Sequence, residues 1–211
     1  MEFREVAALA HRERVSLSST GFYRTPLVHW DRTTFRGHPF YYFSWGAAVS
    51  EVEIDTLTGE YRVRRVDILH DCGGSINPAV DRGQVEGGFV QGMGWLTTEE
   101  LWWDGAGRLA THAPSTYKIP ACSDVPDDFR VSLRLSGQNR LPTVRGSKAV
   151  GEPPVMLAIS VFHALKDAVA ATGAHGLSPR LDAPATPERV LLAIEELRER
   201  LGPVGAPEGA R

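Results

Sequence analysis

The sequence predicts an α+β fold, in which antiparallel hairpins and a mixed sheet pack against a glycine-rich helix and a long buried helix. Three features carry this expectation. β-branched and aromatic residues gather in two short runs, 40–54 and 61–69, parted by the turn Leu57-Thr58-Gly59-Glu60. A segment opening at Asn77-Pro78 keeps apolar residues at helical spacing through Met93, although glycine stands at 83, 87, 88, 92 and 94. Leu157, Val161, Leu165 and Val169 recur at the same spacing in a mostly apolar run, 155–171.

In chain order, residues 6–14 suit a short amphipathic helix. Residues 16–39 are polar and turn-rich, yet too aromatic for a linker, so an ordered, extended loop is expected. The runs 40–54 and 61–69 pair as an antiparallel hairpin. Asn77 then caps free helix N–H groups, and Pro78 takes the first position, where a missing N–H has little effect. Each interior glycine costs a helix about 1 kcal/mol. A helix holding five of them packs its backbone closely against another backbone or a ligand. Leu101-Trp102-Trp103, the Asp104-Gly105 turn and Arg108-Leu109-Ala110 suggest a second hairpin. Residues 129–135 alternate as a strand, and 137–146 form a loop. The apolar helix stops near Gly173. Thr186-Pro187-Glu188 opens a last helix that runs to about Leu201, with Val190, Leu191, Ile194 and Leu197 on one face. The expected organisation is a helix and loop over 1–39, a main body over 40–178, a linker and helix over 179–201, and a disordered tail over 202–211.

Composition narrows the function. The 211 residues carry a formal charge of -3, so no basic field calls for nucleic acid or an anionic membrane. No window approaches the ~18–20 apolar residues of a membrane span, and the charged N-terminus lacks the apolar stretch of a signal peptide. Cys72 and Cys122 stand far apart, so the chain has no iron–sulfur or zinc signature of its own. Two lone cysteines suit reduced thiols in the cytoplasm. Walker, dinucleotide and nucleophile-elbow motifs are absent. His70-Asp71-Cys72 is not read as a metal site, because adjacent strand residues point to opposite faces.

Two segments remain for chemistry. In Ser147-Lys148-Ala149-Val150-Gly151-Glu152-Pro153-Pro154, Gly151 permits unusual backbone angles. Pro153 steers Glu152 towards extended angles, and Pro154 suits a helix start. Glu152 then sits just ahead of a helix N-terminus, whose dipole favours an ionised acid. That suits a general base and equally a helix cap. In the glycine-rich helix, Gln84, Gln91 and exposed backbone can hydrogen-bond a flat, polar cofactor with a phosphate tail; otherwise both glutamines are plain surface residues.

The string from Asp71-Cys72-Gly73-Gly74-Ser75-Ile76-Asn77-Pro78 through Gly83-Gln84-Val85-Glu86-Gly87-Gly88-Phe89-Val90-Gln91-Gly92-Met93-Gly94 closely resembles a pterin-binding stretch of the molybdenum hydroxylases. Pro114-Ser115-Thr116-Tyr117-Lys118-Ile119-Pro120 and the Glu152 motif match later motifs of that family, in order. Residues 20–26 and 40–59 resemble its xanthine dehydrogenase branch. Cys72 departs from the family, which usually has an aliphatic residue there.

The resemblance, spanning roughly residues 5–172, implies the C-terminal portion of a molybdenum-cofactor-binding domain. By that resemblance Glu152 is the catalytic base. It takes a proton from a hydroxyl made acidic by molybdenum, and the oxygen attacks a carbon of xanthine or hypoxanthine. Electrons leave through 2Fe-2S clusters and FAD to NAD. Gln84 matches a glutamine that hydrogen-bonds the pterin, and Gly87, Lys148 and Gly151 are its pocket neighbours. The resemblance also implies an upstream part of the molybdenum subunit, with the remaining molybdenum loops and most of the substrate pocket, and a partner subunit bearing the iron–sulfur clusters and FAD. The alternative is an inactive truncated or split-gene piece with a structural or assembly role.

Overall fold

The N-terminal helix, α1, spans Phe3–Arg12 and begins earlier than the expected residue 6. The Glu2 backbone N–H donates to the Glu5 carboxylate at 2.9 Å, which closes the helix start. This helix belongs to the first of two units, Met1–Tyr41; the second begins at Tyr42. The computed structural model describes residues 1–134 and 137–202. The extended loop expected over 16–39 is corrected, because it contains a small antiparallel hairpin, β1 (His29–Asp31) and β2 (Arg36–His38). Asp31 shapes its turn by accepting from the Thr33 amide and the Thr34 hydroxyl, each at 2.7 Å.

In the second unit, β3 (Trp45–Ile54) and β4 (Tyr61–Asp71) form the expected antiparallel hairpin. β5 (Asp128–Leu133) joins β4 in parallel, so the sheet, ordered β3-β4-β5, is mixed. Leu135, the expected end of that strand, lies outside the described residues. A register shift between Glu51 and Val52 leaves Arg64 as an unpaired bulge. The core-facing positions of β4 therefore switch from Tyr61 and Val63 to Val66, Ile68 and His70. The second hairpin expected over 101–110 is present in a minimal form. One bridge joins Trp103 to Leu109. The Asp104 amide donates to the Arg108 carbonyl at 2.9 Å and the Ala110 amide to the Trp102 carbonyl at 2.8 Å, while Asp104 Oδ1 closes the turn by accepting from the Ala106 and Arg108 amides, each at 2.9 Å.

The glycine-rich helix, α2, spans Pro78–Thr97, and Asn77 caps it by accepting from the Ala79 amide at 3.2 Å. The long apolar helix is two helices, α3 (Pro153–Leu157) and α4 (Ile159–Ala171), broken at Ala158. The Ser160 hydroxyl donates to the Leu157 carbonyl at 2.8 Å and lies 2.7 Å from the Ser50 hydroxyl on β3, which pins the break to the sheet. The run Pro153–Ala171 corrects a second expectation. With 19 residues and a mean hydropathy of 1.4, it is long and apolar enough to cross a membrane. Its kink and its fully buried Val161, Leu165 and Val169 are the packing of a core helix. The last helix, α5 (Pro187–Leu201), sends Val190, Ile194 and Leu197 into the same core as Phe89 of α2 and Val66 of β4. The expected tail lies outside the described residues beyond Gly202.

Candidate active site

Four of the five glycines of α2 divide into two sets, and the fifth, Gly94, is crowded by the Glu99 and Pro120 side chains. A Cβ on Gly88 would stand 3.1 Å from both the Gly151 carbonyl oxygen and the Pro154 Cβ. One on Gly92 would collide with the Val155 carbonyl and stand 2.9 Å from the Ala158 Cβ. These two glycines let α2 lie flush against the end of the Glu152 loop and against α3. Gly83 and Gly87 are different, since a Cβ there would meet nothing within 4 Å. The same holds for Gly151. None of the three has a positive φ, so neither packing nor backbone angle requires glycine there. Gln84, Gly87 and Gln91 are exposed at i, i+3 and i+7, on one helix face. A bare strip of backbone flanked by two amides is a surface against which a flat polar group can lie.

Glu152 sits where α3 begins, at φ -79° and ψ -38°. These helical angles correct the extended conformation expected before Pro153. The Glu152 carbonyl accepts from the Val155 amide at 3.0 Å, and that turn outweighs the steric preference of the pre-proline residue. Gly151 does not use the left-handed region; Gly73 (φ +65°) and Gly146 (φ +68°) do. The Glu152 side chain is exposed and makes no capping hydrogen bond. It forms no hydrogen bond or ion pair among the described residues, so the helix-cap reading fails.

The loop before Glu152 is tied to the end of β4. The Gly74 amide donates to the Gly146 carbonyl and the Lys148 amide to the Cys72 carbonyl, both at 2.8 Å, on either side of a bridge between Gly73 and Ser147. The Lys148 ammonium pairs with Asp71 at 2.7 Å, and both side chains are almost fully buried. Asp71 also accepts from the Gly73 amide at 2.9 Å. Burial acts to raise the Asp71 carboxyl, but Lys148, the Gly73 amide and Arg134 outweigh it and hold the pKa below the usual aspartate value. One residue on, the Ala149 amide donates to the Tyr42 hydroxyl at 3.0 Å, and the Ser44 hydroxyl donates to the Ala149 carbonyl at 2.9 Å.

The structure thus brings the Gly151 carbonyl against Gly88 in the middle of α2, next in the chain to Gly87, with Glu152 one residue on, and leaves Gln84 exposed on the same helix. It engages the Lys148 side chain with Asp71. Tyr42 and Ser44 were not singled out from sequence, and Asp71 figured there only in the rejected His70-Asp71-Cys72 trio and in the motif string. His70 is 1% exposed, and neither ring nitrogen has a hydrogen-bond partner among the described residues. Burial pushes its imidazole pKa down.

Over residues 1–126 the chain matches the model of the molybdopterin cofactor-binding domain. It belongs to that family. This chain is 50% identical over 208 residues to the xanthine dehydrogenase/oxidase of Mus musculus, across 96% of its own length and 16% of the relative's. It is 49% identical over 201 residues to the xanthine dehydrogenase of Oryza sativa subsp. japonica, across 90% of this chain and 15% of that one. The aldehyde oxidoreductase from Desulfovibrio gigas superposes with a TM-score of 0.61 at 29% identity, across 80% of this chain and 17% of that one. The chain therefore spans about a sixth of the length of the curated relatives it matches.

Proposed function

We propose that this chain supplies the glutamate base and one wall of the pterin site of a xanthine dehydrogenase-type molybdenum hydroxylase acting on xanthine or hypoxanthine. The observation that carries the reading is the exposed Glu152 carboxylate, which neither caps its helix nor pairs, on a loop whose Gly151 carbonyl packs at Gly88 of the helix that bears the bare Gly83 and Gly87. The residues fit a molybdopterin group. Gln84 and Gln91 offer hydrogen bonds to its polar edge, and Gly83, Gly87 and Gly151 allow close approach. When bound, the molybdenum centre supplies the oxidising equivalents for hydroxylating an electrophilic carbon. Glu152 accepts, at its carboxylate, the proton lost as the attacking hydroxyl forms its bond to that carbon. Gly151 and Pro153 hold the carboxylate at the loop mouth, and Lys148 anchors the loop behind it.

The remaining substrate pocket belongs to an upstream part of the molybdenum subunit. The 2Fe-2S clusters and FAD that pass electrons to NAD belong to a partner subunit. Similarity to xanthine dehydrogenases across most of the chain favours a purine over an aldehyde. The two free cysteines suit a cytoplasmic assembly.

The test is to purify the chain with and without the upstream part and its partner subunit, then measure molybdenum content and xanthine-dependent NAD reduction. Metal and activity in the assembled sample are expected. Molybdenum in neither sample favours an inactive structural piece. In the assembled enzyme, Glu152→Gln should retain molybdenum and lose turnover by at least ~100-fold, since a general base contributes about 10²–10⁴. Near-normal turnover would remove Glu152 as the base.

A further inference from the structure

We infer that Asp71 is a positioning residue for the Glu152 loop, acting through its buried ion pair with Lys148. The inference rests on the proposed role of Glu152 as base. Burying two charges is expensive, and an apolar pair of similar volume is often at least as stable. The pair therefore calls for a reason other than stability, and the loop geometry provides one. The segment from Asp71 to Gly74 meets the segment from Gly146 to Lys148 in a very short strip, one bridge flanked by two backbone hydrogen bonds. So short a strip specifies register weakly, and a slip by one residue would turn every side chain over. The Lys148–Asp71 contact at 2.7 Å exists in one register only.

Asp71 is itself fixed from two sides. It ends β4, and its carboxylate takes the Gly73 amide at 2.9 Å. Arg134 lies 3.9 Å away on the outer side. Beyond Lys148, the Tyr42 and Ser44 hydroxyls hold Ala149, and Gly88 of α2 seats the Gly151 carbonyl. Those contacts secure the loop on the Glu152 side, and the Lys148–Asp71 pair fixes it at the end of β4. A one-residue slip moves the loop about 3.3 Å along the strand. A misplacement of about 1 Å already costs roughly 100-fold in rate, so register decides whether Glu152 reaches its proton.

The test uses the assembled holoenzyme. Asp71→Asn keeps the shape and an acceptor for the Gly73 amide but removes the charge. It should lower kcat about 100-fold, change KM less than about threefold, and leave molybdenum content intact. Amide hydrogen exchange should quicken at least ~10-fold in the peptide covering residues 147–152 and stay unchanged in α2 and β3. Should this variant fail to fold because Lys148 is left buried and unpaired, the neutral pair Asp71→Asn with Lys148→Gln should fold and show the same kcat loss and loop exchange. Loop exchange at the wild-type rate in a folded variant overturns the inference. So does near-normal kcat in a background where Glu152→Gln is inactive. If Glu152→Gln remains active, the base assignment fails, and the loop exchange still decides whether Asp71 fixes the loop.

Discussion

Substituting alanine at Gly87 separates packing from ligand binding at one position. Gly87 lies inside α2, a Cβ there meets nothing within 4 Å, and its φ is not positive. Glycine is about 1 kcal/mol worse than alanine in a helix interior, so Gly87→Ala should stabilise the protein by about that amount. For a chain of 211 residues this is a rise in Tm of about 2–4 °C. Gly92→Ala gains the same propensity, but its methyl collides with the Val155 carbonyl, and backbone does not yield as a flexible side chain does. Overpacking costs about 1–3 kcal/mol, so this variant should be net destabilised and melt at a lower temperature. The two outcomes diverge again in the assembled enzyme. There the Gly87 methyl stands where the cofactor is proposed to lie, so molybdenum content should fall while Tm rises. Scanning calorimetry and metal analysis on the same preparations read both quantities. A Gly87→Ala protein that is less stable would mean that the strip is packed from within. One that is more stable and fully loaded with molybdenum would mean that no ligand lies on it.

Cys72 is 1% exposed, and burial pushes its thiol pKa up, whereas Cys122 is exposed. A thiol reagent should label Cys122 in the native protein and Cys72 only on unfolding; two rapid labels would contradict the buried position of Cys72. Burial also pushes the Tyr61 phenol up to about 12 from its ordinary value of 10.0. The unfolded chain then ionises first, so this contribution is complete below pH 10 and lost as pH rises towards 12. Denaturant midpoints measured across that window should fall less steeply in Tyr61→Phe; equal slopes would assign the alkaline loss to other groups.

Local signals were legible where the cause is local. Asn77-Pro78 and Thr186-Pro187 marked helix starts because capping is a matter of adjacent atoms, and Thr186 indeed accepts from the Arg189 amide at 3.4 Å. The Leu57-Thr58-Gly59-Glu60 turn marked the hairpin for the same reason. The bulge at Arg64 was visible only as imperfect alternation in β4, since one extra residue shifts the period without announcing where. The break at Ala158 was hidden. The apolar spacing of 155–171 continues through it, and its causes are Ser50 on β3 and the backbone of Gly92 on α2.

The candidate site shows the same division more sharply. Glu152 could be named from its motif, but whether it caps a helix or stands free depends on where its carboxylate turns, which no residue type encodes. The five glycines of α2 are identical letters. Only their neighbours separate Gly88 and Gly92, which other backbone requires, and Gly94, crowded by Glu99 and Pro120, from Gly83 and Gly87, which nothing among the described residues requires. Asp71 and Lys148 lie 77 residues apart, beyond the reach of any helical or strand period. Such a pair exists only once β4 and the Glu152 loop have met. The residues hardest to read from sequence are thus those that hold the base in place, because their pairing is a consequence of the fold they stabilise.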